Sequence, residues 1–421
     1  MSKINLDSLI LFNNIRQNEI IINAVKIFNE YFYREYITYM EADYYEIQRA
    51  LLERTQNVQI KGNYWENLIC SLLAESENKF SLMAEKGMVD DNIIRLAEKE
   101  ISEIKKLYTL DWEDLSAVFH DAKTSVCCMK GQSKSYTDRD EIRLALEKKS
   151  NEDTIRDLEK YYQVNGCGLM EKFNAFRWEG ELIGIKNYDN ITFNQLIGYE
   201  KQKETLIENT DFFLKGYKSN NVLLYGDRGT GKSSCVKALL NKFKTEGLKI
   251  ISLNKNHITD IYRVFETLSD RGCKFIIFID DLSFEGNENE YKYFKSVIEG
   301  GIEAQPSNAL IYVTSNRKNL IKESWLDRRE DGGEVHFNDG MQERLSLSDR
   351  FGITITFISP DKNLFLDIVR GIAKQEKLDI EDELLTDQAM RWELRQKGRS
   401  GRSARQFINY MQAKNLSNLK I

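Results

Sequence analysis

Eight consecutive residues, Gly226-Asp227-Arg228-Gly229-Thr230-Gly231-Lys232-Ser233, constrain this chain more than any other segment. They fit the pattern GxxxxGK[ST] and stand between an apolar run, Asn221 to Tyr225, and a helical stretch, Ser234 to Phe243. Glycines at these spacings let successive backbone N–H groups point inward. With the amino terminus of the following helix, those groups surround a phosphate. A chance match in a glycine-rich loop would lack the strand before it and the helix after it.

The surroundings agree with such a layer. Apolar runs of strand length (Val222–Tyr225, Ile250–Leu253, Phe275–Ile279, Leu310–Thr314, Ile353–Phe357) alternate with amphipathic helical stretches, which predicts a parallel sheet covered on both faces. Upstream, from about Leu6 to Tyr162, the period is helical: Ile21, Val25, Phe28 and Phe32 recur at three- and four-residue steps, as do Trp65, Leu68, Ile69, Leu72 and Leu73. The aromatic cluster Tyr31, Phe32, Tyr33, Tyr36, Tyr39, Tyr44 and Tyr45 reads as packing between helices, with phenol hydroxyls reaching solvent. Asn165-Gly166-Cys167-Gly168 ends the helical region, and Glu179-Gly180 joins two apolar-rich runs into a short hairpin. Past Pro360, Asp361 has the position of a helix cap. The expected organisation is a helical region over residues 1–165, a hairpin linker over 166–190, an α/β nucleotide-binding domain over 191–360 and a helical lid over 361–421.

Composition sets outer bounds. At 421 residues, two or three domains are expected, and the 41% hydrophobic and 30% charged fractions exclude wholesale disorder. No apolar run approaches the ~20 residues of a membrane helix, and the amino terminus has no pattern of a secretory signal. Six cysteines without metal-ligand spacing point to a reducing, cytoplasmic compartment. The net charge of −6 is unevenly spread. Residues 1–190 hold 25 basic against 33 acidic residues, whereas residues 388–421 hold 8 basic residues against Glu393 alone. The acidic half is therefore a poor nucleic-acid surface, while the basic end suits phosphates on a nucleotide or a nucleic acid.

Chemistry follows from the strand ends. Lys232 is expected to reach the β- and γ-phosphates of ATP, and the Ser233 hydroxyl to ligate Mg²⁺. The run Phe275 to Ile279 ends in Asp280-Asp281, and a buried strand ending in an acid delivers Asp280 to the Mg²⁺ shell. Asp281 and Glu285 are both candidates to orient the attacking water. Asn316, closing Tyr312-Val313-Thr314-Ser315-Asn316, is a candidate bridge between the γ-phosphate and that water. Ser346 to Gly352 places Arg350 before another strand, and Arg402 and Arg405 lie in the basic helical tail.

This order of motifs resembles an AAA+ ATPase over roughly Ile191 to Tyr410. The spelling of Tyr225 to Ser234, Asp280 to Glu285 and Ser346 to Gly352 is similar to a bacterial AAA+ family described only as a domain of unknown function. The resemblance implies that Ile197 and Gly198 contact adenine and that the loop from Gly226 through Ser234 binds the phosphates. It also implies Asn316 as first sensor, Arg350 as arginine finger, and Arg402, preferred over Arg405, as the sensor on the lid. Asp281 stands where the family usually has glutamate. The implied function is Mg-ATP hydrolysis in a homo-oligomer, coupled to remodelling of a protein client or adaptor engaged by residues 1–165. A helicase-loader-like ATPase on DNA and a slow nucleotide-state switch or scaffold are the alternatives.

Overall fold

The computed structural model describes residues 3–32, 40–55, 62–119, 125–129, 139–284, 288–300, 304–316, 350–396 and 398–418. They divide into two compact units: Met1–Lys172 with Arg271–Cys273, and Phe173–Asp270 with Lys274–Ile421.

In the second unit the apolar runs pair into one sheet. Its strands are β1 (Ala175–Trp178), β2 (Leu182–Gly184), β3 (Val222–Gly226), β4 (Leu248–Ser252), β5 (Lys274–Ile279), β6 (Ala309–Ser315) and β7 (Ile353–Phe357), in the spatial order β2-β1-β4-β5-β6-β3-β7. Every neighbouring pair is parallel except the β1–β2 hairpin. Val222 and Leu224 of β3, Ile276 of β5, Tyr312 of β6 and Phe357 of β7 share one core with Leu206 and Phe213 of the helix Glu200–Leu214. Val236, Leu239 and Phe243 of the helix Lys232–Phe243 join the same core. Continuous apolar runs suit a sheet that shows neither face to water.

The hairpin is not the linker that the sequence suggested. Ala175, Phe176 and Arg177 pair in parallel with Ile250, Ile251 and Ser252, so the hairpin extends the sheet beyond β4. A two-stranded hairpin is marginal alone. Burial of Ala175, Phe176 and Trp178 against a ready sheet edge supplies what it lacks.

Three helices complete this unit, Lys362–Gln375, Asp382–Gln396 and Gly401–Asn418. The Asp361 carboxylate caps the first by accepting the Leu364 N–H at 2.8 Å. Phe365, Ile368, Val369, Leu385, Phe407 and Ile408 form their core, against which Ile197 also packs.

Among the described residues of the first unit, the elements are helices joined by short loops. Its longest helix, Asp91–Tyr108, carries the buried Glu100, whose carboxylate accepts the N–H groups of Ile10, Leu11 and Phe12 at 2.9–3.2 Å. That one side chain ties the amino-terminal segment to the helix. Of the aromatic cluster, Tyr44 is buried and stacked on Phe119, and the Tyr31 hydroxyl donates to Asp114 at 2.7 Å. Tyr33, Tyr36 and Tyr39 lie outside the described residues. Among the described residues, no helix is long and apolar enough to cross a membrane.

Gly226 is paired with Phe357 across the sheet and held at φ 135°. A Cβ there would collide with the Phe357 carbonyl oxygen. Both partners are backbone, so no side chain can yield. Gly226→Ala is expected to destabilise the second unit by ~3 kcal/mol or more. Chemical unfolding followed by circular dichroism checks this, and a midpoint equal to that of the unsubstituted chain would contradict it.

Candidate nucleotide-binding site

The parallel sheet puts the carboxyl ends of β3, β5 and β6 on one edge, with β6 between the other two. Ligands of open α/β sheets bind outside this edge, because the loops there are free of the hydrogen-bond ladder. The loop after β3 turns through Gly229 (φ 76°) and Gly231 (φ 98°) and enters its helix at Lys232. Two left-handed glycines within three residues give the backbone a curl that other residues would resist. Thr230 Oγ1 donates to the Asp227 carbonyl at 2.9 Å and closes the curl.

Lys232 is buried, with its ammonium donating to the carbonyls of Gly226 at 2.9 Å and Asp227 at 2.7 Å, and to Asn316 Oδ1 at 3.3 Å. Burial pulls its pKa below the usual lysine value, opposed by the nearby Asp227, Asp281 and Asp280. Asp280, which follows β5, accepts from Ser233 Oγ and Thr314 Oγ1, each at 2.5 Å to the same oxygen, Oδ1. Asp281 takes a left-handed conformation (φ 51°), and its carboxylate accepts a hydrogen bond from the Asn316 side-chain amide. At the base of the loop, Asp227 N–H donates to Phe357 O at 2.9 Å, and the Asp227 carboxylate accepts the Ser359 N–H at 2.7 Å.

These groups line a cavity of about 860 Å³. Gly229 through Ser234 and Arg228 form one wall, with Asp280, Asp281 and Asn316 beside them. Ile197 and Gly198 form another wall, and Arg402 and Arg405 reach the cavity from the lid. The lid helix Gly401–Asn418 touches the loop directly, since the Arg402 N–H donates to Gly229 O at 3.2 Å. Arg405 pairs with Glu376 at 2.6 Å. Gly226 and Asp227 support the loop from below the lining. Arg350 is not among the lining residues; it is exposed, with its Nε 3.3 Å from Glu299 Oε1. Glu285 lies outside the described residues.

Several lining residues were not assigned to the site from the sequence, among them Tyr199, Lys203 and Thr314. Tyr199 follows Gly198 in a left-handed turn (φ 59°) and donates from its hydroxyl to Ile358 O at 2.6 Å; burial pushes that phenol up to about 12. Lys203 is buried and donates to Leu196 O at 2.7 Å. Neither shows in a motif, because a lysine on a helix reads as a solvated charge. Thr314, two residues before Asn316, looks like one more β-branched strand residue.

The donor set fits Mg²⁺. A hydroxyl and a carboxylate side by side are hard oxygen ligands, and this ion needs only one or two from protein when phosphates and water complete its shell. Among the described residues, no group of three or more His, Cys, Asp or Glu is placed to hold a metal without such help.

Residues 171–415 match the model of a family described as "Protein of unknown function (DUF815)". The chain belongs to that family. Its second unit carries the phosphate loop on a seven-stranded sheet that is parallel apart from the hairpin at one end. A putative 26S proteasome regulatory subunit homolog of Methanothermobacter thermautotrophicus is 25% identical over 179 residues, covering 38% of this chain and 48% of that protein. The replication factor C large subunit of Nanoarchaeum equitans is 25% identical over 202 residues, covering 47% of this chain and 41% of that protein. The chain thus spans less than half the length of these curated relatives. Among solved structures, a RuvB variant of Thermotoga maritima aligns with a TM-score of 0.36 at 19% identity, covering 54% of this chain and 66% of that one.

The Ser359 N–H holds the Asp227 carboxyl below its ordinary value of 3.8. A depressed carboxyl contributes stability that is complete above the ordinary value and is lost as pH falls through the native one. Asp227 is exposed, so water screens most of the effect, and Asp227→Ala is expected to cost less than ~1 kcal/mol near neutral pH. The gap between variant and unsubstituted chain should close as pH falls below 3.8. Urea midpoints against pH test this, and a gap that widens in acid would contradict it.

Proposed function

We propose that this chain binds and hydrolyses Mg-ATP as a homo-oligomer, and that residues 1–165 engage a protein client which the hydrolysis cycle remodels. One observation carries the reading: Lys232, the Ser233–Asp280 pair, the Asp281–Asn316 pair and Arg402 converge on a single cavity from the loop, two strand ends and the lid. Ser233 and Asp280 would hold Mg²⁺, which when bound would supply neutralising charge at the phosphate oxygens. The Lys232 ammonium exchanges its carbonyl and amide partners for phosphate oxygens. Asp281, held by Asn316, is favoured over Glu285 as the group that orients water. Arg402 is favoured over Arg405 as the lid's cation, because Glu376 already engages Arg405.

A DNA-directed reading draws on the basic carboxyl end and on the replication factor C relatives. Several of those basic groups are already paired, Arg391 with Asp387, Arg399 with Glu393 and Arg405 with Glu376, which lowers the charge on offer to a polyanion. The protein-client reading is therefore preferred. DNA affinity that falls steeply with salt would reverse that preference.

Lys232→Ala should weaken Mg-ATP binding about 10- to 100-fold, as expected for the loss of a charged hydrogen-bond donor. Asp280→Asn should impair metal-dependent binding and turnover together, whereas Asp281→Asn should spare binding and stop turnover. Calorimetry beside a steady-state phosphate-release assay separates these outcomes, and undiminished ATP affinity in Lys232→Ala removes the site assignment.

Arg350 serves the nucleotide of a neighbouring subunit in this reading. Arg350→Ala should bind ATP normally and turn it over about 10³-fold more slowly. Mixing it with Lys232→Ala should recover activity, since an intact Lys232 site then meets an intact Arg350. A monomer that hydrolyses ATP at full rate without Arg350 would exclude the assembly.

A further inference from the structure

Thr314 lies one residue before the end of β6 and is 1% exposed. The β5–β6 register runs to Ile279 opposite Val313, which brings Thr314 level with the point where the chain leaves β5. There the backbone turns sharply, because Asp281 sits at φ 51°, a region that aspartate enters only at a cost. Thr314 Oγ1 accepts the Asp281 N–H at 2.9 Å, and the Thr314 carbonyl accepts the Leu282 N–H at 2.8 Å. The same Oγ1 stands 2.5 Å from Asp280 Oδ1.

The direction of these bonds is determined. A hydroxyl has one proton and two acceptor lone pairs, and a backbone amide can only donate. With the Asp281 N–H occupying a lone pair, the hydroxyl proton goes to the Asp280 carboxylate. We propose that Thr314 is a positioning residue that sets both acids of the site at once. Through its proton it orients Asp280 toward Ser233, and through its lone pair it holds the left-handed turn that brings Asp281 to Asn316. Thr314 acts through its two neighbours and not on the nucleotide. For its effect on turnover, the proposal rests on the ATPase reading above.

Two substitutions separate the hydroxyl from the shape. Thr314→Val keeps the volume and loses both bonds, and Thr314→Ser keeps both bonds and loses a methyl group. In the full chain without ligand, amide exchange at Asp281 should quicken at least about fivefold in Thr314→Val, because its N–H loses its acceptor. It should remain slow in Thr314→Ser. With Mg-ATP, Thr314→Val should raise the half-saturating Mg²⁺ concentration and lower kcat, each by about 10- to 100-fold, as for other groups that orient a metal ligand. Thr314→Ser should restore both. A merely structural threonine would shift the melting temperature without moving the Mg²⁺ requirement. Unchanged exchange at Asp281 together with an unchanged Mg²⁺ requirement in folded Thr314→Val overturns the proposal. A chain that hydrolyses no ATP even when unsubstituted defeats the ATPase reading instead, and the exchange experiment then decides the role of Thr314 without a nucleotide.

Discussion

One carboxylate oxygen, Oδ1 of Asp280, joins three strands of the sheet. It belongs to the residue after β5 and takes hydroxyl donors from Ser233, behind the loop of β3, and from Thr314 of β6. Such charge-assisted bonds are among the stronger polar contacts a protein makes. They depend on the parallel order β5-β6-β3, which brings all three carboxyl ends to the same edge. An antiparallel neighbour in that row would carry one of these groups to the opposite end of the sheet. The buried apolar runs therefore do more than fill a core, since their direction decides which polar groups can meet.

The lid is joined to this edge by different means. Ile197 packs against the core of the lid helices although it precedes the first helix beside the sheet. Tyr199 and Asp227 then fasten the segment after β7 from two sides, through Ile358 O and Ser359 N. The turn that follows Ile197 and Gly198 and the base of the phosphate loop thus both touch the connection to the lid. The Asp227–Ser359 bond leaves only a few residues between the loop and the first lid helix, Lys362–Gln375.

Much of this was legible in the sequence because apolar period and glycine spacing are local signals. The five parallel strands expected from apolar runs all formed, and β7 has the expected bounds, Ile353–Phe357. The loop from Gly226 to Ser233 announced itself, since each of its glycines answers a backbone constraint. The hairpin was recognisable as a hairpin, but its place in the sheet was not, because pairing with β4 is a contact between residues 75 positions apart. Thr314 and Lys203 were hidden for a related reason: a side chain that bonds to a distant carboxylate or carbonyl carries no local mark. Arg350 was visible in its motif, yet no sequence pattern foretold that its partner within the chain would be Glu299.

The bond between the lid and the phosphate loop is made by backbone atoms alone, from the Arg402 N–H to the Gly229 carbonyl. A contact of this kind is indifferent to side-chain identity. Any residue except proline at position 402 can supply the donor, whereas position 229 calls for glycine, since a Cβ there would crowd Ser400 and the Arg402 Cβ. The side chain at position 402 can therefore change in charge while this backbone bond to Gly229 stays the same. Within this chain, recognition and closure are separately adjustable.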